Sequence, residues 1–112
     1  MNELVLYIEK EKFLRQMLET VFKNRGAKIH TEASIAEYFY LLDDLAPKRV
    51  VLDIGSVSRD EVLKVIEKNK FQVILTGDSK QLAEFSDLNL IKISKPLIVL
   101  NIFDQIMGSD RV

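Results

Sequence analysis

The stretch RVVLDIG, residues 49–55, decides the fold that this sequence predicts. Three apolar residues, Val50 to Leu52, follow one another in it with no polar residue between them. A strand with one face in water alternates apolar and polar residues, whereas a strand of a parallel sheet is covered on both faces and is continuously apolar. The stretch therefore predicts a buried strand over Arg49–Leu52, with the carboxylate of Asp53 directly at its end.

Similar short apolar runs recur along the chain and alternate with segments of helical periodicity. They predict four more strands, which are Leu4–Ile8, Lys28–His30, Phe71–Leu75 and Leu90–Ile93. The segment after the first strand has apolar residues at the spacing of one helix face, which are Phe13, Leu14, Met17, Leu18, Val21 and Phe22. Because helices commonly end in a left-handed residue, Gly26 is predicted to end this helix.

Capping residues and prolines predict the limits of the other helices. Two pairs have the Ser-x-x-Glu spacing of a capping box and predict helix starts, namely Ser34 with Glu37 and Ser58 with Glu61. These helices are predicted to run through about Leu45 and about Asn69. A short fourth helix is predicted over Ser79–Phe85, and a last helix over Leu97–Met107 has Pro96 in its first turn.

Five strands that alternate with five helices predict an α/β fold, a doubly wound parallel sheet with helices on both faces and right-handed crossovers. The usual strand order of a five-stranded sheet of this flavodoxin-like kind is 2-1-3-4-5. No linker, repeat or low-complexity segment divides the 112 residues. Residues 1–112 are therefore predicted to form a single domain.

The composition excludes several classes of function. A net charge of −1 provides no general attraction to nucleic acid or to an anionic membrane. The chain has no cysteine, which excludes disulfides, thiolate chemistry and cysteine-bound metals. The apolar run near the first residue is too short for a signal peptide or a membrane span. We therefore expect a cytoplasmic protein that binds neither nucleic acid nor membrane directly.

Polar residues follow four of the predicted strands. In doubly wound sheets, ligands bind beyond the carboxyl ends of the strands, at the point where the strand order reverses. With the order 2-1-3-4-5, strands 1, 3, 4 and 5 bring to one edge Glu9, Lys10 and Glu11, then Asp53, then Thr76 and Gly77, and finally Lys95 and Pro96. The sequence therefore predicts a site that combines carboxylates, a hydroxyl and an ammonium.

Four stretches in this order, LVLYIEKEKFLRQML, VVLDIG, VILTG and ISKPL, resemble the corresponding stretches of CheY-like response-regulator receiver domains, the phosphoacceptor modules of two-component phosphorelay signal transduction. The resemblance covers essentially the whole chain. It implies a phosphoprotein with Asp53 as phosphoacceptor, because a carboxylate can attack a phosphoryl group and hold it as an acyl phosphate. It also implies that Lys95 and Thr76 bind phosphoryl oxygens, that Gly77 leaves room for the backbone, and that the Lys95–Pro96 bond is cis.

Departures from the family pattern indicate a degenerate acidic pocket. Receivers carry two adjacent acids after the first strand that help to hold Mg²⁺, but here Lys10 replaces the second acid. The implied Mg²⁺ ligands are Glu9, Asp53 and the backbone carbonyl of Gly55, which lies in a loop shorter than is usual for the family. Since a hard dication needs several oxygen ligands, we expect Lys10 to weaken or abolish metal binding.

Two roles of Lys10 remain open at this point. In the first, Lys10 neutralises Asp53 in place of a metal and lowers its pKa, so the domain is phosphorylated poorly or not at all. In the second, Glu9 and Glu11 still bind Mg²⁺ while Lys10 points into solvent. We favour the first role, because the short loop weakens the same metal shell. A further departure is Lys92, at a switch position that is usually aromatic, so coupling between Thr76 and a rotating ring is not expected.

The resemblance implies a signalling domain that is not an enzyme. Its expected partners are a sensor histidine kinase or phosphotransfer protein and a downstream protein, since only Gly-Ser-Asp-Arg-Val follows the last helix. That helix is apolar on more than one stripe. Most of Val99, Ile102, Phe103 and Ile106 are expected to pack on the sheet, and the surplus, with Ile98 and Leu100, suggests a homodimer through the fourth and fifth helices.

Two other functions compete with this hypothesis. The first is a pseudo-receiver that is never phosphorylated and serves only as a protein-interaction or dimerisation module. The second is a flavodoxin-like cofactor binder or a small α/β enzyme. A mononucleotide site would need a glycine-rich phosphate loop after the first strand, and the sequence has none there, so we disfavour this second alternative.

Overall fold

The computed structural model describes residues 3–36 and 39–108. Its strands are β1 (Leu4–Ile8), β2 (Lys28–Glu32), β3 (Arg49–Asp53), β4 (Gln72–Gly77) and β5 (Ile91–Ser94). Its helices are α1 (Lys12–Asn24), α2 (Leu41–Asp44), α3 (Arg59–Lys68), α4 (Ser79–Ala83) and α5 (Val99–Met107). No helix among the described residues is long and apolar enough to cross a membrane.

All strands pair in parallel in the order β2-β1-β3-β4-β5, which confirms the predicted sheet. Strand β3 lies at the centre of this order, and each of its five residues is buried. The register places Asp53 beside Thr76 and Thr76 beside Ile93. The carboxyl ends of β3, β4 and β5 are therefore aligned at one edge, as the predicted site requires.

Apolar side chains cover both faces of the sheet. On one face, α1 and α5 pack on the sheet through Leu18, Phe22, Ile102 and Ile106. On the other face, α2, α3 and α4 contribute Leu42, Val62, Val65 and Leu82. Because side chains alternate along a strand, every second residue of β3 faces each layer, which explains why its sequence shows no polar alternation.

Helix α2 is much shorter than its sequence predicts. It covers only Leu41–Asp44, whereas the apparent capping box at Ser34 predicts a start six residues earlier. The Ser34 hydroxyl instead accepts a hydrogen bond from the backbone N–H of Ala36 at 3.2 Å, a local turn that competes with a helix start. Glu37, the other half of the predicted box, lies outside the described residues.

The other predicted ends are confirmed at two helices. The Ser58 hydroxyl accepts from the backbone N–H of Glu61, whose carboxylate accepts from the Ser58 N–H in return, so α3 has the predicted capping box. Asn69 ends α3 in the left-handed conformation. Gly26 follows α1 with φ +70°, and the N–H groups of Gly26 and Ala27 satisfy the last carbonyls of that helix.

Several boundaries differ from the prediction near the site. Strand β4 extends to Gly77 and β5 to Ser94, because these residues pair with each other. Helix α4 ends at Ala83, and α5 begins at Val99 after an extended Ile98. Pro96 therefore lies before α5. The prediction that it lies in the first turn of this helix was wrong.

The two serines that the sequence marks as caps provide a matched test of helix stability. Ser58→Ala removes an observed cap and is expected to lower the free energy of unfolding by about 1 kcal/mol. Ser34→Ala removes only a hydrogen bond in an exposed turn and is expected to cost less than about 0.5 kcal/mol. Urea unfolding followed by circular dichroism measures both. Equal losses in the two variants would contradict the assignment of Ser58 as the only serine of the pair that caps a helix.

Candidate functional site

The carboxyl edge of the sheet concentrates buried polar side chains. Four polar or charged residues are buried in the described part of the chain, and three of them lie at this edge: Glu9, Asp53 and Thr76. Glu9 follows β1, Asp53 ends β3 and Thr76 lies in β4 on the same face of the sheet, towards α1 and α5. Burying polar groups costs free energy unless they are paired, so their partners decide what this edge can do.

Lys95 is the cation that pairs with both buried carboxylates. Its Nζ lies 2.7 Å from Oε1 of Glu9 and 3.0 Å from Oδ1 of Asp53, and its side chain is 24% exposed. Partial burial lowers the pKa of Lys95, but the hydrogen bonds to Glu9 and Asp53 outweigh it and raise the pKa above its ordinary value. The ammonium is therefore held in its charged form between the ends of β1 and β3.

Asp53 has hydrogen-bond partners on both carboxylate oxygens. Oδ1 faces Lys95 and, at a longer 3.5 Å, the hydroxyl of Thr76. Oδ2 accepts a hydrogen bond from the hydroxyl of Ser56 at 2.6 Å. The prediction therefore found Thr76 and Lys95 correctly as neighbours of Asp53 but missed Ser56.

Lys10 does not neutralise Asp53, so the favoured prediction for its side chain is wrong. The side chain of Lys10 is exposed, and no ion pair joins it to Asp53 among the residues that the structure describes. Its contribution is made by the main chain, whose N–H donates to Oγ of Ser56 at 2.8 Å. Lys95 supplies the positive charge that the sequence analysis assigned to Lys10.

The turn between β1 and α1 is held by Glu9 and by Arg15. The exposed Glu11 donates its backbone N–H to Oε2 of Glu9 at 3.1 Å. The Arg15 guanidinium donates to the carbonyl oxygens of Glu9 and Lys10 at 2.8 and 2.9 Å. Arg15 is a second residue that the sequence analysis missed, although its position one turn into α1 places it close to this loop.

Tyr7 adds a buried hydroxyl below the carboxylates. Its hydroxyl lies near Thr76 but makes no hydrogen bond of normal geometry within the described residues. Burial raises the pKa of Tyr7, the contact with Thr76 lowers it by less, and the nearby Glu9 and Asp53 each add a smaller increase. The phenol is therefore neutral and adds no charge to the site.

The remaining predicted pocket residues shape the edge without contacting Asp53. A Cβ on Gly77 would lie 2.6 Å from Cγ1 of Ile54, so this glycine leaves room for a neighbouring side chain, and its predicted room for an approaching backbone stays a prediction. The Lys95–Pro96 bond is cis, as the resemblance implies. Lys92 donates to the carbonyl oxygens of Leu88 and Leu90 at 2.7 and 3.3 Å, which occupies its ammonium in the turn before β5.

The donor set does not fit Mg²⁺ in this arrangement. Of the implied ligands, Glu9 uses one carboxylate oxygen for Lys95 and the other for the Glu11 N–H, while both oxygens of Asp53 are also engaged. Only the Gly55 carbonyl remains. The described residues contain no group of three or more His, Asp or Glu side chains that could hold a metal ion. Water commonly supplies several of the six oxygens around Mg²⁺, but an ion bound here would compete with Lys95, Ser56 and the Glu11 N–H for every carboxylate oxygen.

Comparisons with solved structures identify the fold. The chain is similar to the chemotaxis protein CheY4 of Vibrio cholerae, with a TM-score of 0.80 and 13% identity over 96% of this chain and 98% of that chain. A CheY-like receiver domain protein from Methanospirillum hungatei gives 0.79 and 12% over 97% and 94% of the two chains. A receiver domain protein from Clostridium thermocellum gives 0.76 and 17% over the same shares.

The chain therefore has the fold of CheY-like response-regulator receiver domains. At these identities the likeness establishes the fold alone. No protein-family model and no curated protein matches the chain.

Removal of the Lys95 ammonium tests the charge balance of the site. Lys95→Met leaves two buried carboxylates without their cation, and we expect a loss of about 3–5 kcal/mol in the free energy of unfolding. Lys92→Met is the matched control, because this half-buried lysine lies in β5, three residues before Lys95, and bonds to carbonyl oxygens. Its expected cost is about 1 kcal/mol. Urea unfolding at neutral pH gives both values, and equal costs would contradict a special role for Lys95.

The pH dependence of this difference has a defined sign. Since folding raises the pKa of Lys95 above 10.5, its stabilisation is complete below that pH and is lost as the pH rises through the raised value. The stability gap between the wild type and Lys95→Met should therefore be level between about pH 7 and about pH 10 and should shrink at higher pH. A gap that widens in alkali would show that the pKa shift has the opposite direction.

Proposed function

We propose that this chain is a receiver-like signalling domain, in which Asp53 accepts a phosphoryl group from a sensor histidine kinase or a phosphotransfer protein. The observation that carries the proposal is the ion pair between Lys95 and Oδ1 of Asp53, at the carboxyl edge of a receiver fold with Thr76 on the adjacent strand. These are the nucleophile, the cation and the hydroxyl that the family resemblance implies, and they lie at the ends of three different strands.

The chemistry needs only the groups that lie at this edge and a phosphoryl donor. A carboxylate oxygen of Asp53 attacks the phosphorus of a phosphohistidine, and a P–O bond forms as the P–N bond breaks. The imidazole nitrogen leaves with the electron pair of that bond, and Asp53 becomes an acyl phosphate. Lys95 is positioned to move from the carboxylate to a phosphoryl oxygen, since phosphoryl transfer depends mainly on positioning and on stabilisation of charge.

No step of this proposal is assigned to a metal ion. The donor set does not fit Mg²⁺ as it is arranged, and the ammonium of Lys95 already lies beside the nucleophile. We therefore expect Asp53 to be phosphorylated slowly. A single ammonium stabilises the negative charge of the three phosphoryl oxygens less than a divalent cation does. This expectation agrees with the degenerate acidic pocket that the sequence indicates at Lys10.

A pseudo-receiver is the second candidate, and one observation favours it. Asp53 is 3% exposed, and both of its oxygens have partners before any phosphoryl donor arrives. A site in which every polar group is satisfied can serve structure alone. In that case the domain would act only by contact with another protein.

The start of α5 is a candidate surface for output by protein contact. Ile98, Val99 and Leu100, at the start of α5, are 56%, 51% and 86% exposed. The fourth helix packs Leu82 in the core, and its contribution to a homodimer stays a prediction. We therefore propose that self-association or partner binding uses the start of α5, while Ile102 and Ile106 pack on the sheet.

Intact mass measurement tests the phosphoacceptor. Incubation with acetyl phosphate, with and without Mg²⁺, is expected to add about 80 Da to a fraction of the protein. Asp53→Asn should abolish the gain, whereas Asp60→Asn, at an exposed position in the first turn of α3, should retain it. The absence of any gain after long incubation with donor would favour the pseudo-receiver, and a gain that survives Asp53→Asn would place the phosphoryl group elsewhere.

Light scattering over a range of concentrations tests the surface at α5. The wild type is expected to associate as its concentration rises, and Leu100→Glu should weaken the association at least about tenfold, because a buried unpaired charge is costly. Gln105→Glu is the control, since it adds the same charge at an exposed position of the same helix. A wild type that stays monomeric at the highest concentration would exclude a homodimer through this surface.

A further inference from the structure

The turn after β3 folds Ser56 back over Asp53. The backbone N–H of Ser56 donates to the carbonyl oxygen of Asp53 at 2.8 Å, which closes a four-residue turn. Gly55 lies inside this turn, where a Cβ would come within 3.3 Å of Oδ2 of Asp53. Because Gly55 has no Cβ, the space beside Oδ2 is left for the hydroxyl of Ser56.

The hydroxyl of Ser56 links two strand ends. It donates to Oδ2 of Asp53 at 2.6 Å and accepts from the backbone N–H of Lys10 at 2.8 Å, across 46 positions of sequence. A serine hydroxyl has a single donor and two acceptor lone pairs, so its one donor is committed to the carboxylate. Ser56 thus connects the loop after β1 to the carboxylate that ends β3, a contact that we call the serine bridge.

We propose that the serine bridge occupies the position between Asp53 and the loop after β1 that a bridging divalent cation would need, so that the bridge and a metal ion exclude each other. This inference rests on the proposed function and deepens it, because it names the group that controls metal access to the phosphoacceptor. A cation there would need a lone pair of Oδ2 and the space between the two loops, and the Ser56 hydroxyl donates to Oδ2 from within that space.

The two oxygens of Asp53 are satisfied by different means. Lys95 provides charge at Oδ1, and Ser56 provides a neutral hydrogen bond at Oδ2. Because a buried carboxylate oxygen without a partner is costly, removal of the Ser56 hydroxyl leaves an unmet acceptor that a cation can satisfy. Ser56 bonds the backbone N–H of Lys10, so Lys10→Asp adds a carboxylate to the loop that borders this space.

Mg²⁺ titration of four variants by isothermal calorimetry tests this exclusion, with no phosphoryl donor present. Lys10→Asp restores the missing acid but keeps the bridge, and Lys10→Asp/Ser56→Ala removes the bridge as well. The double variant is expected to bind Mg²⁺ at least about tenfold more tightly, since the cation no longer displaces a hydrogen bond to a charged group. Lys10→Asp/Ser58→Ala is the matched control, because Ser58 lies two residues further on and caps α3. It should bind like Lys10→Asp.

Rescue by threonine distinguishes the hydroxyl from a general loosening of the loop. Lys10→Asp/Ser56→Thr keeps a hydroxyl at this position, so its Mg²⁺ affinity should return to that of Lys10→Asp. Amide hydrogen exchange reports the bridge directly, and the Lys10 N–H should exchange at least about tenfold faster in Ser56→Ala than in the wild type. Both measurements are independent of any activity, and circular dichroism confirms that each variant is folded.

Three results would overturn the inference. The first is a Mg²⁺ affinity of Lys10→Asp/Ser56→Ala within about twofold of that of Lys10→Asp. The second is an absence of Mg²⁺ binding in Lys10→Asp/Ser56→Ala. The third is an exchange rate of the Lys10 N–H that is the same in Ser56→Ala and in the wild type. The proposed function fails separately, by the absence of a mass gain at Asp53. If Lys10→Asp/Ser56→Ala binds Mg²⁺ more tightly but Asp53 gains no mass, the serine-bridge inference holds and the phosphoacceptor proposal fails. If Asp53 gains mass but the Mg²⁺ affinity does not rise, only the serine-bridge inference fails.

Discussion

The ammonium of Lys95 lies between two buried carboxylates, and the arrangement of the strand ends depends on this contact. A parallel sheet covered on both faces also buries side chains at the carboxyl ends of its strands, and here these include Glu9 and Asp53. Two buried carboxylates repel each other and lose their hydration, so the sheet edge is stable only with a cation that reaches both. Lys95 comes from the far side of β4 and ties the ends of β1, β3 and β5 together.

This internal charge balance explains why the site is compatible with the loss of an acid at position 10. In a pocket whose carboxylates are neutralised by a metal ion, a lysine beside the metal ligands would repel that ion. Here the neutralising charge is covalently part of the chain, and the side chain of Lys10 extends into solvent. The fold does not by itself imply phosphorylation, so the chemistry has to be argued from Asp53 and its immediate partners.

The sequence predicted the sheet well because the signals for it are local and redundant. Continuous apolar residues mark β3, and the Ser58 capping box marks α3. The strand ends then followed from topology, which brought Asp53, Thr76 and Lys95 together. The predicted start of the second helix failed, because the Ser34 side chain satisfies a nearby N–H in a turn as readily as in a cap.

The misassigned role of Lys10 shows what a residue-type argument leaves out. Lys10 lies in the turn between β1 and α1, so the direction of its side chain depends on that turn and not on its residue type. The serine bridge was not predictable from the sequence either, since it depends on the return of a four-residue turn to within 2.6 Å of Oδ2. Two departures from the receiver pattern, Lys10 and the short loop after β3, therefore come together in one contact. The side chain of Lys10 is exposed, while its backbone N–H donates to Ser56. Through that hydrogen bond, Ser56 occupies the space that an acid and a cation would otherwise fill.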